Sequence, residues 1–514
     1  MRSIPAPALI LAAALAGCAA SPPVPDAEGE APADAACARL LETFDAAVSA
    51  AGTADASYAR VDGFRALRVD RLVASYAYAP MDAARFGAWI AAMRALDRDA
   101  RAVELANLPA DARSRVDDAL RTVPRSDMSV AVPAAGGDDM MARLDACAER
   151  VLARDLSAPH ARVWLIRSAL VPDDYRDSWR ALGFYPITGF GLAAGIALYE
   201  REARAAFAGE RAAPRGTLTT YRPAFASSAT PEAVRHTVAA LVAADPLPPL
   251  PRVDPAALDA LFAAYAPDYA VDTVTGDDRP GRPHRRADGV PDVDASAPVV
   301  YTRLAWTRFD QQLLPQLVYT VWFAQRPPRF AGDPLAGRLD GLVWRVTLDR
   351  DGAPLAFDTI HPCGCYHQFV PTARLAARPA EGPIEEGALI VRTLPELAVG
   401  TRVRLDLATG THYLRGVTPI APGEGARGAA TGYTLLPDAA LRTLPAPGGG
   451  TASLFGPDGI VAGTERPERY TLWISGIESA GAMRQWGRHA TAFVGRRHFD
   501  EPFLIERYFT RASP

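Results

Sequence analysis

The sequence predicts an α+β protein with a helical N-terminal half and a β-rich, mainly antiparallel C-terminal half. Three observations predict it. From Cys37 to about Phe207, apolar residues recur at helical spacing, as in Cys37, Leu40, Leu41, Phe44 and Val48. From about Val271 onward, β-branched and aromatic runs such as Leu317–Phe323 take over. Between them, the proline-rich stretch from Asp245 to Pro255 is extended and stiff.

These changes divide the chain into an export signal (1–17), a tether (18–35), a helical domain (36–225), a Pro-rich connector with short helices (226–265) and a β-rich domain (266–514). In the helical domain, Met93–Ala106 and Met140–Leu152 repeat the spacing of the first helix, and Asp138 and Asp139 stand near the start of the second as favourable N-terminal acids. Gly183–Tyr199 is the longest apolar run there. Its Pro186, Thr188 and four glycines make it buried core or a helix contact rather than a membrane span. Ala193–Phe207 reads as helix. In the connector, Thr230 caps a helix with Pro231 in its first turn, and Ala256–Tyr265 is a second short helix. Beyond it, Leu342–Leu348 and Leu355–Ile360 form a hairpin about Asp349–Gly352. Ala388–Thr393, Arg402–Leu407 and Tyr470–Ile474 are further expected strands.

Arg2, the short apolar run Ala8–Ala16 and the small residues before Cys18 have the layout of an export signal. Leu15-Ala16-Gly17-Cys18 resembles the lipobox of bacterial lipoproteins. The resemblance implies diacylation of the Cys18 sulfur, cleavage before it and acylation of the new amine. Ala19, where an Asp would signal otherwise, implies an outer-membrane destination with the body in the periplasm. The expected partner is thus the membrane, through the anchor.

Composition narrows the chemistry. With 49% apolar residues and a formal net charge of −4, a core is easily built and no basic footprint for nucleic acid appears. All 55 basic residues are arginine. Without lysine there is no Walker A phosphate loop, no Schiff-base lysine for pyridoxal phosphate and no S-x-x-K acyl-enzyme site. Gly189–Gly195 has one residue too many for a dinucleotide loop, and Ser479 lacks the first glycine of a nucleophile elbow.

Apart from Cys18, four cysteines remain. Cys37 and Cys147 lie in helical segments and are the expected disulfide, which suits an oxidising compartment. The other two belong to His361-Pro-Cys363-Gly-Cys365-Tyr-His367, directly after an expected strand. Pro362 and Gly364 make this a tight loop. Three readings fit it. One is a metal site drawn from His361, Cys363, Cys365 and His367, suited to zinc or to copper in its reduced form, with two or three of them on the ion and His412, His489 or His498 completing the shell. Another is a redox pair, Cys363 with Cys365, whose bridge across one residue is strained and reducible. In the last, the loop is structural and the protein is a non-catalytic envelope scaffold. The sequence leaves the reaction, if any, open.

Two weaker clusters remain. Asp272, Asp277, Asp278, Asp288, Asp292 and Asp294 crowd a glycine-punctuated stretch that suits calcium or a solvated turn. Arg484, Arg488, His489, Arg496, Arg497 and His498 gather around Trp486 and Phe493, as an anion site or an Arg-rich surface. The stretches Leu339–Arg345 and His361–His367 resemble uncharacterised envelope proteins of Gram-negative bacteria, a resemblance that implies no activity.

Overall fold

Helical spacing and strand propensity give the elements of the computed structural model, which describes residues 32–123, 138–209, 213–225, 229–245, 250–379, 385–422 and 429–512. Cys18, the signal-like run and residues 19–31 lie outside these, so the lipidation site has no structural account here. Residues 32–35, read as tether, open the first helix.

Helix α1 (Pro32–Ala51) buries the stripe Cys37, Leu40, Leu41, Phe44 and Val48. The hairpin β1 (Ala59–Val61) and β2 (Phe64–Val69) follows. Next come α2 (Arg71–Ala74), α3 (Ala83–Asn107), α4 (Ala110–Arg121), α5 (Asp138–Ser157) and α6 (Ala161–Ser168). These elements share one apolar core. A disulfide joins Cys37 of α1 to Cys147 of α5. Charge also binds this layer: Arg68 of β2 is buried against Asp97 and Glu104 of α3.

α7 (Asp177–Leu182) leads into α8 (Tyr185–Phe207). Gly183–Tyr199 therefore lies mostly within one helix, but its large side chains do not form core. Among residues 185–199 only Gly189 is buried, and the helix lies on the surface with its inner side against the C-terminal segment. Strand β3 (Thr217–Pro223) precedes α9 (Pro231–Leu241), β4 (Ala243–Ala244) and α10 (Pro255–Tyr265). Thr230 and Asp254 cap α9 and α10 by accepting from the amides of Ala233 and Ala257, and proline occupies the first turn of each.

The remaining strands are β5 (Asp268–Thr273), β6 (Arg282–Arg285), β7 (Pro291–Asp294), β8 (Val299–Phe309), β9 (Gln312–Arg326), β10 (Gly337–Leu348), β11 (Pro354–Ile360) and β12 (Gln368–Pro371). Then come β13 (Leu375–Ala377), β14 (Arg402–Leu407), β15 (Leu414–Ile420), β16 (Thr431–Pro437), β17 (Leu444–Pro445) and β18 (Thr451–Ala452). The chain closes with α11 (Arg469–Leu472), α12 (Leu504–Tyr508) and β19 (Phe509–Arg511).

Eleven strands form one mixed sheet, in the order β12-β11-β10-β9-β8-β16-β3-β5-β14-β15 with β4 beside β9. The protein is thus mixed α and β, and two expectations are corrected. First, the sheet is not uniformly antiparallel: β16 runs parallel to both β8 and β3, and β14 parallel to β5. Long connections allow such joins, which hairpins cannot make. Second, the halves are not cleanly helix and sheet. β3, from the segment read as helical, is a central strand, and α9 and α10 of the expected connector bury Val234, Val238, Leu241, Leu261 and Phe262 in the core of the sheet.

The hairpin β10–β11 turns at Asp349–Gly352, where the Gly352 amide donates to Asp349 and Gly352 has φ +82°. β11 is buried at every position. One face packs against the core shared with α9 and α10, through Trp344 and Phe357. The other meets Phe499 through Val343 and Ile360. Burial on both sides explains why these strands read as continuous apolar runs. Two strand expectations fail. Tyr470–Ile474 forms α11 and a 3₁₀ turn, since Pro467 and Glu468 start a helical turn that accepts from the Thr471 and Leu472 amides. Ala388–Thr393 makes only an isolated bridge, Ile390 to Phe369.

The Cys37–Cys147 bridge closes a sequence separation of 110 residues. Replacing both cysteines by serine should lower the urea-unfolding free energy by about 3–5 kcal/mol, read as a shift in denaturation midpoint.

Candidate functional site

β11 ends at Ile360, and the next residues turn back as a tight loop. The Gly364 amide donates to the His361 carbonyl (2.8 Å), and the His361 amide to the Cys365 carbonyl (3.0 Å). Gly364 has φ +87°, and a Cβ there would lie 2.4 Å from the Ala490 carbonyl oxygen, so only glycine fits. The Arg484 amide donates to the Pro362 carbonyl (2.8 Å), pinning the loop to the C-terminal segment.

Two buried carboxylates of the hairpin then divide the histidines. Asp340 of β10 accepts from His361 Nδ1–H at 3.1 Å and from His412 Nδ1–H at 2.9 Å, with Arg466 at 3.5 Å. Asp358 of β11 accepts from His367 Nε2–H at 3.0 Å and pairs with Arg345 directly across the hairpin. Side chains alternate along a strand. Asp340 lies toward Phe323, on which His412 stacks, and Asp358 lies on the Phe499 side. The four donors predicted as a metal site are therefore not brought together. Among the described residues no group of three or more His, Cys, Asp or Glu could hold a metal ion. His489 and His498 do not complete a shell: His498 faces Asp174 (3.3 Å), and His489 makes an edge contact with Trp486.

Electrostatics follow from the pairing. Burial works to raise the Asp340 carboxyl, but His361, His412 and Arg466 outweigh it and hold it well below the usual carboxylate range. Burial opposes charge on His412 too. Asp278, at 3.6 Å, and Asp340 prevail and hold its pKa above the ordinary histidine value. His361 is held low by burial despite Asp340, and burial takes His367 down to about 4 despite its Asp358 bond. Both are neutral imidazoles at pH 7.

Cys363 and Cys365 are unbridged and buried. Burial pushes the Cys363 thiol up, but the Cys365 S–H and the charge of Arg466 overcome this and leave it below the ordinary thiol value. The second proton is held tightly: its hydrogen bond to Cys363 and burial raise Cys365 well above that value. The first proton of the pair thus leaves more readily than the second. Nε and one terminal nitrogen of Arg466 have no hydrogen-bond partner in the protein.

A cavity of about 290 Å³ opens beside the pair. The loop contributes Cys365, Tyr366 and His367, and α8 roofs the cavity with Leu192, Ile196 and Tyr199. Glu386 and Glu468 stand on its wall. Burial raises both carboxyls. Glu386 is held by Arg497 (3.0 Å) and the Phe493 amide (2.9 Å), whereas Oε1 of Glu468 has no partner in the protein. Gly481 leaves room for it, since a Cβ there would fall 2.1 Å from that oxygen. A mostly apolar pocket with convergent polar groups of shifted pKa is the arrangement of a ligand or reaction site.

Sequence reasoning found the loop but missed Asp340, Asp358, Arg466 and Glu468. The first two carried a signal, as single carboxylates within apolar strands. Arg466 and Glu468 carried none. The acidic stretch does not gather around a cation. Asp272 accepts from the Arg215 and Gly216 amides, and Asp278 from those of Val274, Thr275 and Gly410. The C-terminal arginines are clamps: Arg496 pairs with Asp173 and Asp177, Arg497 with Glu386, and Arg484 caps carbonyls of Glu478 and Ser479.

No protein-family model, no curated protein and no solved structure matches the chain.

Two outcomes follow from these pairings. Asp340→Ala strands His412 and Arg466 in the interior and should cost about 3–5 kcal/mol of stability, measured by urea unfolding at pH 7. His367 binds its proton in the unfolded chain near pH 6.5 but in the folded protein only near pH 4. Its contribution is present above 6.5 and is lost as pH falls through that window. His367→Asn should therefore flatten the fall in unfolding free energy between pH 6.5 and 4 by about 1.4 kcal/mol per pH unit.

Proposed function

We propose that this chain is an outer-membrane lipoprotein with its body in the periplasm, and that its Cys363–Cys365 pair carries out thiol–disulfide exchange with a disulfide small enough to enter the adjacent cavity. The observation that carries the second part is the pair itself: two buried, unbridged cysteines one residue apart, with Cys365 on the cavity wall. The lipobox-like ending at Cys18 carries the first, and the bridge between Cys37 and Cys147 agrees with an oxidising compartment.

In the reaction, the thiolate of the pair attacks one sulfur of the incoming disulfide. The S–S bond breaks, the departing thiolate takes a proton, and a mixed disulfide forms. The second cysteine then gives its proton to the Glu468 carboxylate and attacks the mixed disulfide, whose S–S bond breaks, and the second departing thiolate takes that proton back from Glu468. The products are a Cys363–Cys365 bridge and two thiols from the substrate. A bridge across one residue is strained, so its reduction potential should be well above about −300 mV. The metal-binding reading lacks a gathered donor set among the described residues, and the structural reading, two buried cysteines in a loop, is the alternative that the exchange experiment separates.

Incubation of the reduced full chain with cystamine tests this by mass spectrometry. The expected result is loss of two hydrogens at Cys363–Cys365 with release of two cysteamines, and a trapped mixed disulfide in Cys363→Ser or Cys365→Ser. Thiols that react only on unfolding, or stoichiometric zinc or copper lost in Cys363→Ser, would overturn the reading. Growth with labelled palmitate tests the anchor: label should enter the protein and be absent from Cys18→Ser.

A further inference from the structure

The outer face of α8 is apolar and uncovered. Leu182, Phe184, Ile187 and Phe190 are 71%, 70%, 73% and 58% exposed, and Leu198 is 55% exposed. Single exposed apolar residues are ordinary. Here Ile187, Phe190, Ala194 and Leu198 recur at helical spacing on one side, and Leu182 and Phe184 extend the patch. From Ala181 to Tyr199 there is no charged residue. Trp179 and Tyr185 stand half-buried near its start, and exposed Arg176, Arg201 and Arg204 stand at its two ends. The inner side is tied down: Tyr185 donates its hydroxyl to the Phe493 carbonyl, and the Tyr199 hydroxyl accepts from Gln368. The helix is firmly seated, yet it presents its apolar residues outward. Such a patch marks a surface that meets something apolar.

We propose that the outer face of α7 and α8 lies on the surface of a lipid bilayer, with Phe184, Ile187, Phe190 and Leu198 at the boundary of headgroups and acyl chains. Among the described residues no helix is long and apolar enough to cross a membrane, so the contact is a surface one. The bilayer is preferred to another occupant because of the anchor, and this inference rests on that reading. Only residues 19–31 separate Cys18 from α1. A chain of that length reaches roughly 45 Å at most, less than the roughly 60 Å diameter of a compact body with a radius of gyration of about 23 Å. A body held so closely keeps its surface within touch of the lipid. The aromatic residues near the start of the run suit the interface, while the charges at its two ends are mixed, with Arg176 paired to Glu478 and Arg204 to Glu200.

The test uses the full chain with Cys18→Ser, so that no acyl chain contributes, and vesicles of phosphatidylethanolamine and phosphatidylglycerol. The protein should float with the vesicles, and amides of residues 181–199 should gain protection from hydrogen exchange when vesicles are added. In the same chain, Ile187→Glu with Phe190→Glu should lower vesicle partition by at least ~tenfold, with unchanged circular dichroism and melting because both side chains are exposed. Equal flotation of the variant without protection at 181–199 would overturn the proposal. So would protection that rises with protein concentration in the absence of lipid, which would make the occupant a second copy of this chain. Palmitate labelling reads the anchor separately, so an unlabelled protein that still gains vesicle-dependent protection would sink the anchor and leave the contact standing.

Discussion

The site depends on the charge of one buried carboxylate. Asp340 is fully buried and holds residues 21, 72 and 126 positions away: His361, His412 and Arg466. A carboxylate in the interior is costly unless it is paired and hydrogen-bonded. Here one face of β10, the loop after β11, the connection between β14 and β15, and the segment before α11 each supply a partner or the carboxylate itself. The charged form of His412 is favoured because Asp278 stands on its other side. Its ring stacks on Phe323 at 3.9 Å between centroids, which fixes the plane in which it can donate. The loop bearing the thiols is thereby set against the sheet by a fixed charge rather than by apolar packing alone.

Asp358 does the same on the opposite face with Arg345 and His367. The two histidines that bracket the cysteines are thus each committed to a carboxylate before any ligand arrives. This arrangement explains why an array of four donors at alternate positions does not become a metal shell. It leaves the thiols with each other and with Arg466. A thiolate in an apolar interior needs such a cation and such a donor, and reactive cysteines are found where both are supplied. Cys365 and Glu468 both line the cavity beside the loop.

Much of the architecture was legible in the chain. The stripe of α1, the cap at Thr230, the β10–β11 hairpin and its Gly352 turn all follow from local chemistry, which acts over a few residues. The failures share a cause. β3 and β16 join the sheet through partners far away in sequence, which no local pattern reveals. Tyr470–Ile474 has strand composition, but its helical turn is set by Pro467 and Glu468. Gly183–Tyr199 reads as interior because apolar runs usually are, and only the structure shows its large residues facing out. In the site, the His–Cys spacing was visible as a cluster. Its division between two faces was not, because that depends on Asp340 and Asp358, whose roles need the sheet register.

The most direct measurement of this account is the protonation of His361 and His412 by ¹⁵N nuclear magnetic resonance of the imidazoles at pH 7. The account predicts an imidazolium at His412, with both nitrogens protonated, and a neutral His361 with its proton on Nδ1. A neutral His412, or a His361 protonated on Nε2 instead, would contradict it, since Asp340 could not then be the charged centre that orders the loop.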